Sequence, residues 1–397
     1  MENGDEELFP KRYLFQLCSS SISAVASVII IIMILSSPKK LKTPYRRIIF
    51  GMSFADIMQS LSMLVGPFAI PTGTSRAYWA SGNTRTCEVN GFFMVLGSTT
   101  VPLYMLALSI RYLCKLNLKM PDKDFAKKIE LWMHVTIIAV MMIICITAIP
   151  LKVFNPIPSG SFCHIAEYPV LCSKFPERVG ECQRGSTKDI FVLIDVIILC
   201  ICFVGITVNM ILLCVKSFWI ERMYRSRAGD RMHQSDYSCL RDYLCCVPCR
   251  NYEQLEHEPD ADYVLRLYKK ETIIQSLLYV GAFFASYILP ILQSFMSFSN
   301  PDPPPPIIGY IASAIYPLGG LFNILVYTRP KVVRLRQAYP NISRTTAFSL
   351  VIKAGGEMPD MGSHNHVLDC YCCCVRIPYE EDPDRQYLFE MLASIGD

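Results

Sequence analysis

Ser109-Ile110-Arg111-Tyr112 closes one of the apolar runs of this chain. A guanidinium beside a phenol at such a place can take and release a carboxylate or carbonyl where an unpaired charge is expensive. A second chemistry belongs to crowded thiols: Cys239, Cys245, Cys246 and Cys249 form one group, and Cys370, Cys372, Cys373 and Cys374 another. Cysteines close to apolar segments suit S-acylation. Their Cys-Cys and Cys-Cys-Cys adjacency fits lipid attachment better than the tetrahedral spacing of the rival, a shared zinc ion. Cys245, Cys246, Cys249, Cys370, Cys372, Cys373 and Cys374 are therefore the lipidation candidates. Enzymatic chemistry finds no footing. There is no nucleophile elbow, phosphate loop or zinc-protease pair. His134 stands alone and reads as a packed or hydrogen-bonded side chain. No catalytic residue, cofactor or metal is expected.

The elements that must position these groups are seven apolar segments, approximately 14–35, 48–70, 89–113, 131–151, 190–215, 272–296 and 307–327. A helix needs about 20 apolar residues to cross the roughly 30 Å hydrocarbon core. Lipid cannot bond backbone groups, so each span must be a helix. Mean hydropathy is +0.31 and charged residues are 18%, against about 25% in soluble domains. The net charge of +4 is too small to argue for nucleic acid. The expectation is an all-α membrane protein, a seven-transmembrane helix bundle.

Basic residues set its orientation. The first connection carries Lys39, Lys40, Lys42, Arg46 and Arg47, and the third Lys115, Lys119, Lys123, Lys127 and Lys128. Arg329, Lys331, Arg334 and Arg336 follow the seventh segment, whereas the second connection holds only Arg76 and Arg85. Basic ends stay cytoplasmic, so the N-terminus is expected outside and the C-terminus inside, in the plasma membrane. The organisation expected is a short extracellular tail at 1–13 and a seven-helix domain at 14–339. Within that domain lie a long third intracellular loop at 216–271 and a basic surface helix at 329–338. A cytoplasmic, largely disordered tail covers 340–397. The halves show no matched repeat, which weighs against a transporter or channel-like protein, the alternative reading.

Of 18 cysteines, Cys87, Cys163, Cys172 and Cys182 fall on the expected outer, oxidising side. Four such cysteines allow three pairings. Cys87 sits at the tip of the third helix, and a bridge from it would pin the second outer loop across the helix mouths. Cys163 is the favoured partner, leaving Cys172 and Cys182 to close a local loop.

Cys87 and Arg111 are separated by about 36 Å of helix, enough to cross the bilayer with a tilt. An outer-tip Cys and an inner-end Arg-Tyr on one helix resemble the third helix of G-protein-coupled receptors. Ser53-Phe54-Ala55-Asp56 is similar to that superfamily's second-helix acid region, and Tyr287-Ile288-Leu289-Pro290 has its kink-forming Pro. Asn323 and Tyr327 have the spacing of its Asn-Pro-x-x-Tyr motif. The run from Tyr316 to Pro330 and Ser161-Phe162-Cys163-His164-Ile165 resemble the cyclic-AMP-receptor-like branch more than the rhodopsin-like one. Departures are Ile110, where rhodopsin-like members have an acid, Ile324 in place of the motif's Pro, and no Trp before Pro290.

The resemblance implies a receptor that senses an extracellular ligand and relays it to a heterotrimeric G protein. Arg111 and Tyr112 would form the switch, with Glu271 as a candidate resting partner for Arg111. Pro290 would be the hinge, and Asn323 and Tyr327 the seventh-helix contribution. Asp56 with Asn323 would make an intramembrane polar cluster. Asp195, Tyr104 and Gln293 are the ligand candidates. A retinal protein would need a Lys in the seventh helix, and 307–327 contains none.

Overall fold

The computed structural model describes residues 5–74, 77–158, 161–232, 261–299, 306–339 and 341–355. Seven of its helices are long and apolar enough to cross a membrane. They lie in α1 (Asp5–Ser36), α2 (Pro44–Ala69), α3 (Thr84–Leu116), α4 (Leu131–Ala148), α5 (Lys188–Met232), α6 (Ala261–Ser299) and the broken α7. α7 consists of Pro306–Ile315, a 3₁₀ turn at Tyr316–Leu318, and Gly319–Ala338. The break falls at Pro317, which cannot donate to the helix ladder. A one-turn helix, Asp122–Phe125, and a π-helical turn, Ala126–Glu130, lead into α4. A two-stranded antiparallel hairpin, β1 (Phe154–Pro156) and β2 (Cys163–Ile165), lies between α4 and α5.

Local sequence sets the helix starts. Pro44 opens α2 behind Thr43, whose hydroxyl accepts the Arg46 N–H. Asn83 and Thr86 cap α3 reciprocally, each side chain accepting the other's backbone N–H. α3 is the central spine: 72% of its spanning window is buried, against 17% for α5. Leu131, Trp132, Ile143, Ile190 and Val204 instead stand exposed on α4 and α5, as lipid-facing side chains do. Gly97 brings α2 against α3: a Cβ there would lie 2.6 Å from the Gln59 nitrogen. Gly320 does the same between α7 and α1, and its N–H donates to Ser23 Oγ at 2.9 Å. The Gly319-Gly320 pair is thus a site of close helix approach.

The helices run further than the expected spans. Both ends of the third connection, expected at 216–271, are helical, because α5 continues to Met232 and α6 starts at Ala261. Hydropathy ends at the membrane surface, but helix formation does not, and residues 216–232 are rich in good helix formers such as Arg, Met and Lys. The stretch 329–338 is no separate surface helix; it continues α7 through Pro330. Finally, the tail contains a further helix, α8 (Arg344–Lys353). Ser343 caps it, and Ala347 and Val351, one turn apart, bury against the bundle.

Candidate functional site

The chemistry-bearing residues gather in three places along the bundle. At the end where α3 finishes, Arg111 is only 5% exposed. Its guanidinium lies 5.2 Å from the centre of the Tyr45 ring on α2. Its acid is Asp122, on the one-turn helix after α3, with Nη2 at 3.4 Å from both carboxylate oxygens. That is long for a charge-assisted bond. Lys115 shares the same carboxylate at 3.7 Å. Among the described residues, Arg111 Nε has no hydrogen-bond partner.

Tyr45 organises the surroundings. Its ring stacks with Tyr327 of α7 at 6.2 Å and tilts against Tyr112 at 6.4 Å. Its hydroxyl pairs with Tyr279 of α6 at 3.1 Å and accepts from Gln275 Nε2 at 2.9 Å. α2, α3, α6 and α7 therefore meet around one phenol. Lys331 lies over the Tyr327 ring at 4.6 Å.

The side chain of Glu271, the acid expected against Arg111, lies outside the described residues. The acid that the structure does set against Arg111, Asp122, was missed in sequence. Ile110 deprives Arg111 of an adjacent acid, and the chain supplies one eleven positions further on, after the Pro121 turn. A Pro followed by Asp soon after a basic helix end was the available signal.

A second arginine contrasts with the first. Arg47 donates through Nε and Nη2 to the two oxygens of Glu130, both at 2.6 Å. Glu130 sits at the end of the π-helical turn and is 3% exposed. His134, one turn along, approaches Glu130 at 3.6 Å, and its Nδ1 lies 3.1 Å from the Tyr104 hydroxyl.

In mid-bundle, Asn323 Nδ2 donates to Asp56 Oδ2 at 2.6 Å, joining α7 to α2. Gln59, Ser60, Ser286, Tyr287 and Tyr316 line the same small cavity. Asn323 follows the α7 break by about one turn, so the irregular backbone aims it inward.

At the opposite end, disulfides join Cys87 to Cys163 and Cys172 to Cys182. The first holds the hairpin onto the tip of α3, and Asn90 of α3 accepts the Cys163 N–H at 3.1 Å. Arg184 pairs with Glu88, and Lys188 with Glu167. Asp195 of α5 accepts from Thr99 of α3 at 2.7 Å. His164 of β2 is close enough to Asp195 to feel its charge, but burial keeps this imidazole's pKa below the usual histidine value.

Tyr104 is not brought to Asp195. Its ring packs against Gly51 and its hydroxyl turns to His134. Five residues separate it from Thr99, which places the two on different faces of α3. The Gln293 side chain lies outside the described residues. Cys239, Cys245, Cys246, Cys249, Cys370, Cys372, Cys373 and Cys374 lie outside them as well.

No protein-family model matches the chain. No curated protein matches it either. Among solved structures, the chain is similar to squid rhodopsin at a TM-score of 0.54 and 14% identity, covering 89% of this chain and 92% of that one. At that identity the likeness carries the fold, a seven-helix bundle of the rhodopsin kind, and does not distinguish branches within it.

Proposed function

We propose that this chain is a signalling receptor of the plasma membrane, with its disulfide end outside and its Arg111 end in the cytoplasm. It would bind an extracellular ligand among the helix mouths and relay the event to a heterotrimeric G protein. One observation carries this reading: Arg111 is buried yet loosely held, with long contacts to Asp122 and an unsatisfied Nε. A buried charged donor without full partners is costly. A partner helix that offered carbonyls or a carboxylate to this guanidinium would gain what the resting bundle leaves unused.

The movable element in this reading is α6. Among the described residues, its ties to Tyr45 are the neutral hydrogen bonds of Tyr279 and Gln275. Neutral hydrogen bonds are worth about 1 kcal/mol net, so a modest differential affinity of ligand for the two states suffices to shift them. Pro290, about three to four turns beyond these residues, removes a helix bond where a swing would pivot. Asp56 with Asn323 would couple this motion to the outer half. Acylation of the two cysteine groups would tack the third connection and the tail to the inner leaflet, and hydroxylamine-sensitive labelling of the full chain checks it.

The deciding experiment is G-protein recruitment by wild type and Arg111→Ala at matched surface expression. Loss of recruitment with expression retained is expected. Equal recruitment by the variant would remove Arg111 from the mechanism.

A further inference from the structure

The acid on α5 defines the chemical class of ligand. We propose that Asp195 is the anchor of a binding site for a compact organic cation, an ammonium or guanidinium, held beneath the β1–β2 hairpin. The proposal rests on the receptor reading for its biological sense but stands on separate observations.

The first is charge accounting at the disulfide end. Arg184 and Lys188, the cations flanking the start of α5, are committed to Glu88 and Glu167. Lys152, Lys174 and Arg85 are exposed. Asp195 lies seven residues inside α5, roughly 10 Å beyond Lys188 along the helix. Among the described residues its one hydrogen bond comes from the neutral Thr99 hydroxyl, to Oδ1, and no salt bridge reaches it. An intramembrane carboxylate without a cation is expensive, and the commonest reason for keeping one is function.

The second is what surrounds it. His164 of the hairpin, close enough to feel the Asp195 charge, is held neutral by burial and so does not act as a standing counter-ion. Tyr287 and Tyr316, on α6 and α7, are within electrostatic reach of Asp195. Their rings meet edge to face with centroids 5.5 Å apart, and Tyr287 is fixed by its bond to the Ser98 carbonyl at 3.1 Å. A carboxylate with a free oxygen near aromatic rings matches an alkylammonium, which gains from both ion pairing and ring quadrupoles. The hairpin pinned by Cys87–Cys163 fixes His164 at this end of the bundle.

The test uses the purified full chain in lipid nanodiscs and follows its thermal unfolding. The probes are benzylammonium, cyclohexylammonium and tetramethylammonium, set against benzyl alcohol and benzoate. At least one cation is expected to raise Tm saturably while the neutral and anionic probes do not. Asp195→Asn should weaken that response by about tenfold or more, the scale of a lost buried charge pair, and Asp195→Glu should retain it. A second variant needs no ligand. His164→Lys places a resident ammonium by Asp195, and it should raise Tm and abolish the response to added cation. If Asp195 is instead a protonated acid serving only Thr99, His164→Lys lowers Tm and Asp195→Asn leaves probe binding unchanged. Either result overturns the proposal, as does a panel in which no cation binds. A neutral or anionic compound that drives G-protein recruitment equally in wild type and Asp195→Asn would sink the cation site and leave the receptor standing. Cation binding with no recruitment by any probe would do the reverse.

Discussion

The two ends of the bundle are fastened by different chemistry. The hairpin end is held by covalent and ionic links: two disulfides, Arg184 with Glu88, and Lys188 with Glu167. The Arg111 end is held by stacked phenols, neutral hydrogen bonds and one long ion pair. Its tight ion pair among the described residues, Arg47 with Glu130, joins α2 to the start of α4. The difference teaches where the molecule can move. Links worth several kcal/mol surround the site proposed for the ligand, and links worth about 1 kcal/mol each hold the helix proposed to swing.

Removing the covalent fastening should have the largest effect. Cys87→Ser opens a loop of 76 residues, and the chain-entropy model assigns such a crosslink about 4 to 5 kcal/mol. Cys172→Ser opens a span of 10 residues, for which the same model gives about 3 kcal/mol. Thermal unfolding of the two purified variants in nanodiscs checks the order. If Cys172→Ser proved the more damaging, the hairpin would not be the principal fastening.

The two arginines sharpen the comparison within one end. Arg47→Ala leaves the buried Glu130 carboxylate without its bidentate partner, and about 2 kcal/mol of destabilisation is expected. Arg111→Ala loses contacts at 3.4 Å and the approach to the Tyr45 ring, so its unfolding should stay within about 1 kcal/mol of wild type while partner recruitment disappears. Equal destabilisation by the two would mean that Arg111 is structural.

Tyr279→Phe takes one hydroxyl from the neutral tie on α6. About 1 kcal/mol off the resting state corresponds to a roughly fivefold shift toward the open one. Basal recruitment should rise by about that factor, with little change in Tm. Unchanged basal recruitment would show that the phenol pair is not what restrains α6.

What could be read in advance follows from the kind of signal each feature leaves. A membrane span announces itself because about 20 consecutive side chains must all be apolar. The fold was legible for that reason, although 14% identity to squid rhodopsin leaves almost no residue-level trace of the likeness. Asp56 and Asn323 could be paired on paper because the receptor resemblance sets an acid on the second helix against an amide on the seventh. Asp122 and Tyr45 could not. Both lie at helix starts next to basic connections, where the sequence was read only for topology, and their contacts depend on how the Pro121 and Pro44 turns aim the chain. Glu130 was hidden by a π-helical turn, whose extra residue rotates its face relative to α4. Tyr104 failed as a ligand candidate because a polar residue on a buried helix has several faces open to it, and sequence does not say which faces the cavity.

Acid should weaken the hairpin end, in two steps. His164 is buried, and although Asp195 favours its charged form, burial dominates and its pKa lies below the ordinary histidine value of 6.5. For Glu167, burial alone would raise the carboxyl. The Lys188 ammonium and the Ser173 hydroxyl and N–H outweigh that and bring it below the ordinary glutamate value of 4.5. Both groups thus have folded pKa values under their unfolded ones, so the unfolded chain binds more protons and stability falls with pH. Each contribution is complete above the unfolded value and is lost as pH drops through the folded one. The histidine step begins just under 6.5 and the glutamate step just under 4.5. Unfolding followed from pH 7.5 downward should show Tm declining over both windows, with His164→Gln removing the upper part and Glu167→Gln the lower. A Glu167→Gln profile that declines through the glutamate range as steeply as wild type would mean that Lys188 contributes to this end through packing of its stem rather than through its charge.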